Sequence, residues 1–236
     1  MQNTMQNDLL NLEKKLHVSF KNKDLLLQAF IHRSYLNENG NIKIGHNERL
    51  EFLGDAVLEL IVTEHLYKTY PQSPEGELTA YRSSLVNTQV IGGVAQELGM
   101  NEYLLLSKGE SKDVGKARLH ILANTFESFI GALFLDQGYA APEAFVQRYL
   151  FPKLEEIVHK KLWRDSKSLT QEKAQEIYHV TPSYKVLHES GPDHDKKFTV
   201  GVYFGTELIA QGKGKSKQEG EQAAARQALE VKKWLD

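Results

Sequence analysis

An all-α unit over residues 1–164, followed by a small α+β unit over 169–236, is the fold class this sequence predicts. Three observations point to it. Apolar residues recur at helical spacing throughout the first part, with no sustained period-two alternation. Alternation appears only later, where Phe198, Val200, Val202 and Phe204 interleave with Thr199, Gly201 and Tyr203. A short polar stretch, Asp165–Ser168 (DSKS), separates the two patterns and reads as a linker.

The elements follow in order. Leu9, Leu12 and Leu16, then Leu25, Leu26, Ala29 and Phe30, mark the first helices. Asn47 is placed as the N-cap of a long helix that runs to about Tyr70, where Pro71 stops it. Pro71–Gly76 reads as a loop, and helical spacing resumes at Glu77. Leu119–Asp136 is a strongly apolar helix ended by Gly138, and Ala140–Leu162 supplies one or two more. In the second unit Leu169–His179 is helical. Ser183–Glu189 and Phe198–Phe204 pair across a Gly191–Lys196 turn, and Glu207–Gln211 is a third strand. A Gly/Lys segment, Gly212–Lys217, leads into a last helix through Leu229. The order α-β-β-β-α makes a complete small domain.

Composition narrows the function classes. The chain has 236 residues, 41% hydrophobic and 25% charged, with no cysteine. That removes disulfides, thiolate catalysis and cysteine-based zinc sites. No apolar run approaches the ~18 residues of a membrane-spanning helix, and the N-terminus lacks a signal-peptide pattern, so no membrane partner is expected. Net charge is −2, from 29 basic and 31 acidic residues. Bulk charge therefore says nothing for nucleic-acid binding, and any such argument rests on local clusters.

Two acidic clusters stand out. In Asn47–Glu59 (NERLEFLGDAVLE), Glu48, Glu51 and Asp55 fall within about 60° of one another on a helix. Leu50, Leu53, Val57 and Ile61 fall opposite and are expected to face the core. In Leu122–Leu135, Asn124 and Glu127 sit at i, i+3 on an otherwise apolar helix. If the two helices cross, four carboxylates and an amide meet. Such all-oxygen donors suit Mg²⁺ or Mn²⁺ rather than zinc or copper. Each helix alone reads equally as a solvated acidic face or a satisfied structural Glu. Phe52 projects about 200° from Leu50, beside the carboxylates and off the core stripe.

The second unit offers a basic cluster. Lys213, Lys215, Ser216 and Lys217 lie at the mouth of the last helix, where free N–H groups and lysines favour phosphate. The same residues also read as a flexible lysine-rich turn. The nucleotide-loop spacing GxxxxGK[ST] is absent. Gln171 and Glu172 are placed to hydrogen-bond sugar hydroxyls, and the Pro192–His194 turn to enter a groove.

Glu48–Leu58, ERLEFLGDAVL, closely resembles the signature motif of the ribonuclease III family. Ala29–Tyr35 (AFIHRSY), Pro74–Arg82 (PEGELTAYR) and Leu122–Asp136 (LANTFESFIGALFLD) agree with the same family. Residues 169–236, with QAAARQAL at Gln222–Leu229, resemble its double-stranded RNA-binding domain. The resemblance implies a cytoplasmic, homodimeric endonuclease of double-stranded RNA that serves rRNA and mRNA processing. It implies Mg²⁺ dependence, with Mn²⁺ able to substitute, and products with 5′-phosphate and 3′-hydroxyl ends. Glu48, Glu51, Asp55 and Glu127 match the acidic site. Asn124 stands where most members carry Asp. By the same resemblance Glu51, Asp55, Asn124 and Glu127 are the metal-holding set, Glu48 is an outer ligand or RNA contact, and Phe52 docks into the partner subunit. Gln218 and Gly220 depart from the family's usual Lys and Ala. Two other readings stay open: a protein that binds duplex RNA without cutting it, because of Asn124, and a phosphohydrolase of small substrates, which leaves residues 169–236 without a role.

Overall fold

The computed structural model describes residues 2–159, 163, 165–192 and 196–234. The chain divides into two compact units, Met1–Lys160 and Lys161–Asp236. The first runs α1 (Gln2–Leu16), α2 (Lys23–Ala29), α3 (Arg33–Glu38), α4 (Glu48–Thr69), α5 (Glu75–Leu85) and α6 (Thr88–Glu97). It continues through two short 3₁₀ turns to α7 (Lys116–Gln137), α8 (Ala140–Tyr149) and α9 (Phe151–His159). An isolated bridge between Ile31 and Leu105 is its one β feature among the described residues.

α7 is the axis of this unit. From Ile121 to Leu133 nearly every side chain is buried, Thr125 and Ser128 included. A helix apolar on all sides belongs at the centre of a bundle. Both buried hydroxyls bond back along the helix, to the carbonyls of Ile121 and Asn124 at 2.7 Å, so neither is left unsatisfied. Phe129 packs edge-on against Phe20 and Phe30, with centroids 5.5 and 6.3 Å away. Gly138, with φ of 76°, ends α7 in a conformation that L residues rarely adopt.

Several expectations change here. Asn47 holds the N-cap position of α4, but its side chain makes no capping bond. It is buried, and its amide donates to the Ala29 carbonyl at 3.3 Å. Its own carbonyl accepts from the Ser128 hydroxyl at 3.3 Å. Asn47 thus ties the start of α4 to α2 and α7 rather than closing its own helix. Leu53 is only half-buried, and Leu58 and Val62 complete the core face instead. α5 begins at Glu75, because Pro74 sits at its N-cap with extended backbone.

The second unit runs α10 (Ser166–Tyr178), β1 (Ser183–Ser190), β2 (Lys197–Phe204), β3 (Glu207–Gly214) and α11 (Lys217–Val231). The strands form an antiparallel sheet in the order β1-β2-β3, with a register shift in β1 between Val186 and His188. Residues 166–168 are no linker. Asp165 caps α10 by accepting from the Ser168 N–H at 2.7 Å, and it also accepts from Gln222 on α11. Polar composition marked a helix start there, because the residues that cap helices are those that fill linkers. β3 runs on to Gly214 rather than ending at Gln211. Glycine permits this: a Cβ on Gly212 would lie 2.0 Å from the Ala224 nitrogen, and one on Gly214 2.4 Å from the Gly220 nitrogen. The strand lies directly against α11. Ala174, Val202, Phe204, Ala210, Ala224 and Ala228 form the core beneath it.

Candidate active site

The site begins with two glycines. A Cβ on Gly54 would lie 1.7 Å from the Glu127 carbonyl oxygen, and one on Gly131 2.3 Å from the Leu50 carbonyl oxygen. No residue larger than glycine fits either position, so α4 and α7 cross in backbone contact. On α4, Glu51 and Asp55 flank that crossing. On α7, Glu127 and Asn124 lie about one and two turns before Gly131.

The electrostatics show how closely these groups are coupled. Burial pushes the Glu127 carboxyl up from its ordinary 4.5 to about 7, and the charges of Asp55, Glu51 and Glu59 add to the shift. Glu51 is also raised, first by burial and then by Glu48 and Asp55, while a hydrogen bond from the Asn124 side chain opposes the rise. Glu51, Asp55, Asn124 and Glu127 therefore form one group across the helix crossing. Glu48 is coupled to Glu51 but exposed, and it pairs with Arg33 at 3.5 Å and His46 at 3.8 Å. Among the described residues, no three His, Asp or Glu side chains are closed into a ready-made metal cage. Like-charged groups without a counter-ion repel one another and favour such an open arrangement. The donor set nonetheless suits a hard divalent cation: it is all oxygen, and its central carboxyl is held partly protonated by burial, with the neighbouring negative charges adding to the effect.

Beside this group Phe52 is 83% exposed. Ala56, Leu60 and Tyr67, also exposed, continue its line along α4 at helical spacing. His32 caps α3, accepting from the Ser34 N–H at 3.3 Å, and burial lowers its pKa. It takes no part in the acidic group.

In the second unit, Gln171 and Glu172 on α10, Pro192 after β1, and Lys217 at the start of α11 are all exposed. His194 lies outside the described residues. Ser216 caps α11, its hydroxyl accepting from the Glu219 N–H at 3.1 Å, while the Glu219 carboxylate accepts from the Lys215 N–H at 2.8 Å. This reciprocal cap already uses part of the helix terminus that was expected to be free for phosphate. Lys213 does not join it. Gly212 and Gly214 pack against α11, so Lys213 between them projects from the opposite face of the sheet.

A family model of ribonuclease-III-like proteins matches residues 22–154, and one of the double-stranded RNA binding motif matches residues 166–232. Ribonuclease 3 of Borreliella burgdorferi is 43% identical over 97% of this chain and 93% of its own length. The chain belongs to the ribonuclease III family. Ribonuclease 3 of Protochlamydia amoebophila is 45% identical over 92% of this chain and 89% of its own. The solved nuclease domain of ribonuclease III from Campylobacter jejuni is 36% identical, with a TM-score of 0.54, over 60% of this chain and 94% of that one. This member of the family is thus an endoribonuclease whose helical nuclease domain precedes a double-stranded RNA-binding domain.

Some participants went unnoticed in the sequence. Glu59 extends the Glu51–Asp55 line by one more i+4 step and adds its charge to Glu127; the spacing was there to be read. Arg82 on α5 pairs with Glu59 at 3.0 Å and donates to the Thr63 hydroxyl at 2.9 Å. Neither that pairing nor the Arg33–Glu48 pair has a local signal, because each joins separate elements. Among the described residues no helix is long and apolar enough to cross a membrane.

Proposed function

We propose that this protein hydrolyses double-stranded RNA in a Mg²⁺-dependent reaction, leaving 5′-phosphate and 3′-hydroxyl ends. Nuclease activity resides in residues 1–164 and duplex binding in 169–236. The observation that carries the reading is the coupled group of Glu51, Asp55, Asn124 and Glu127 at the glycine crossing. Glu51, Asp55 and Glu127 would hold the metal, with the Asn124 carbonyl oxygen beside them. A bound divalent ion supplies a water activated at neutral pH and charge stabilisation at the leaving oxygen. The protein's part is to gather negative oxygens where the cation is needed. Glu48, paired with Arg33, stays at the edge of the group and faces solvent.

Asn124 keeps the site competent in this reading. Its amide donates to Glu51 and still leaves an oxygen free to accept or to hold a water. On the duplex side, the exposed Gln171, Glu172, Pro192 and Lys217, with the half-buried cap residue Ser216 beside Lys217, supply contacts suited to 2′-hydroxyls and phosphates. The exposed Phe52 supports a homodimer, with the ring of each subunit buried by its partner. A cytoplasmic location fits the cysteine-free composition.

The test is a Mg²⁺ titration of duplex RNA cleavage by the full chain. Wild type cuts, Mn²⁺ substitutes, and chelation stops cutting while duplex binding remains. Glu127→Gln binds duplex but does not cut at ordinary Mg²⁺. A chain that binds duplex and cuts with neither metal, even as Asn124→Asp, would establish binding as its function instead.

A further inference from the structure

We propose that a cleft at one end of the C-terminal sheet carries a second anion site, held by lysines of the sheet's outer face rather than by the N–H groups at the start of α11, for a phosphate-bearing ligand of nucleotide size. An open cleft of about 460 Å³ lies at one end of the sheet. Ligand pockets begin at roughly 300 Å³. Lys197, Lys213 and Lys215 line it together with His188, the hydroxyl residues Ser190 and Thr199, and one acidic residue, Glu219 of α11.

Strand register explains how they converge. Thr199 pairs with His188 on one side and with Lys213 on the other, and Lys197 pairs with Ser190. Phe198, Val200 and Val202 point to the helices and are buried, so Lys197 and Thr199 share the opposite face with Lys213. Lys197 and Lys213 thus stand within about two residue steps of each other on neighbouring strands, and Lys215 follows directly after the end of β3. Like charges so placed destabilise a sheet unless something neutralises them. Among the described residues, none of the three ammonium groups has a carboxylate partner. The Glu219 carboxylate at the cleft accepts from the Lys215 backbone N–H, part of the α11 cap.

The surplus of positive charge, the two hydroxyls and the size of the cleft match a ligand with more than one phosphate charge. A free polyphosphate or nucleotide would supply that chemistry, as would the phosphorylated end of a nucleic-acid strand. This proposal does not rest on the metal site, and its test reads no cleavage.

The test is calorimetric titration of the full chain, without Mg²⁺, with pyrophosphate and with two dinucleotides differing only in a 5′-phosphate or 5′-hydroxyl end. Pyrophosphate should bind with a sub-millimolar Kd. The double variant Lys197→Gln/Lys213→Gln should weaken it at least about tenfold, and Lys197→Arg should keep it. In wild type, the amide NMR signals of Thr199 and Gly214 should move on titration, which provides a readout should the double variant not fold. Preference for the 5′-phosphorylated dinucleotide supports the site with a strand end as ligand. Pyrophosphate binding without that preference supports it with a free phosphate compound. No binding at millimolar pyrophosphate overturns the proposal. So does an affinity that falls with Lys217→Gln but not with Lys197→Gln, since the anion would then sit on the α11 terminus.

Discussion

The Cβ that Gly54 lacks would lie 1.7 Å from the backbone carbonyl oxygen of Glu127, the residue at the centre of the acidic group. The same contact that sets the helix spacing also sets how near the α4 carboxylates stand to Glu127.

Gly54→Ala tests this. In an exposed helix alanine stabilises by about 1 kcal/mol over glycine. Here it forces the helices apart, with an expected net loss of about 2–3 kcal/mol in urea unfolding and a large loss of cleavage. Gly93→Ala on α6 is the control: nothing lies within 4 Å of its Cβ position, so it should be neutral or stabilising. A Gly54→Ala protein as stable and as active as wild type would refute the crossing as the organiser of the site.

Glu127 makes stability depend on pH. Its carboxyl is raised from 4.5 to about 7 in the folded protein, so the folded chain holds a proton that the unfolded chain has already lost. Stability from this group is complete below about 4.5 and is lost as pH rises through about 7. Metal-free wild type should therefore melt at a lower temperature at pH 8 than at pH 6. Glu127→Gln should flatten that slope and gain about 1–2 kcal/mol at pH 8, after discounting for solvent screening. Adding Mg²⁺ should raise wild type and not the variant. An identical pH slope in both proteins would show that Glu127 titrates normally.

Asn124→Asp exchanges an amide that donates to Glu51 for another anion. The Mg²⁺ concentration at half-maximal cleavage should fall several-fold, because a hard cation gains a negative ligand. Maximal rate should change little. Without metal the variant should melt below wild type at pH 8, since Glu51 loses a donor and gains a like charge. An unchanged Mg²⁺ midpoint would place the side chain away from the ion.

Phe52→Ala should weaken self-association. Burying an aromatic side chain is worth about 1.5–3 kcal/mol, and a two-fold interface contains the ring twice. The dissociation constant from sedimentation equilibrium should rise at least about a hundredfold. Wild type that sediments as a monomer at micromolar concentration would remove this role for the ring.

The sequence by itself determined the helical first unit, the α-β-β-β-α second unit, the placing of Glu48, Glu51 and Asp55 on one face of α4, and the exposure of Phe52. These are legible because each depends on spacing within one segment: the period of 3.6 puts i, i+3 and i+7 together whatever surrounds the helix. The tertiary structure alone decided the contacts that join segments. It spent the Asn47 amide on Ala29 rather than on a cap, and turned 166–168 into the first turn of α10. It brought Arg82 to Glu59 and Arg33 to Glu48. It carried β3 two glycines further, which sent Lys213 to the far side of the sheet from α11. Above all it set Gly54 against Glu127. A glycine within a helix is locally only a cost in propensity, and what it permits becomes visible only when another backbone arrives to use the space.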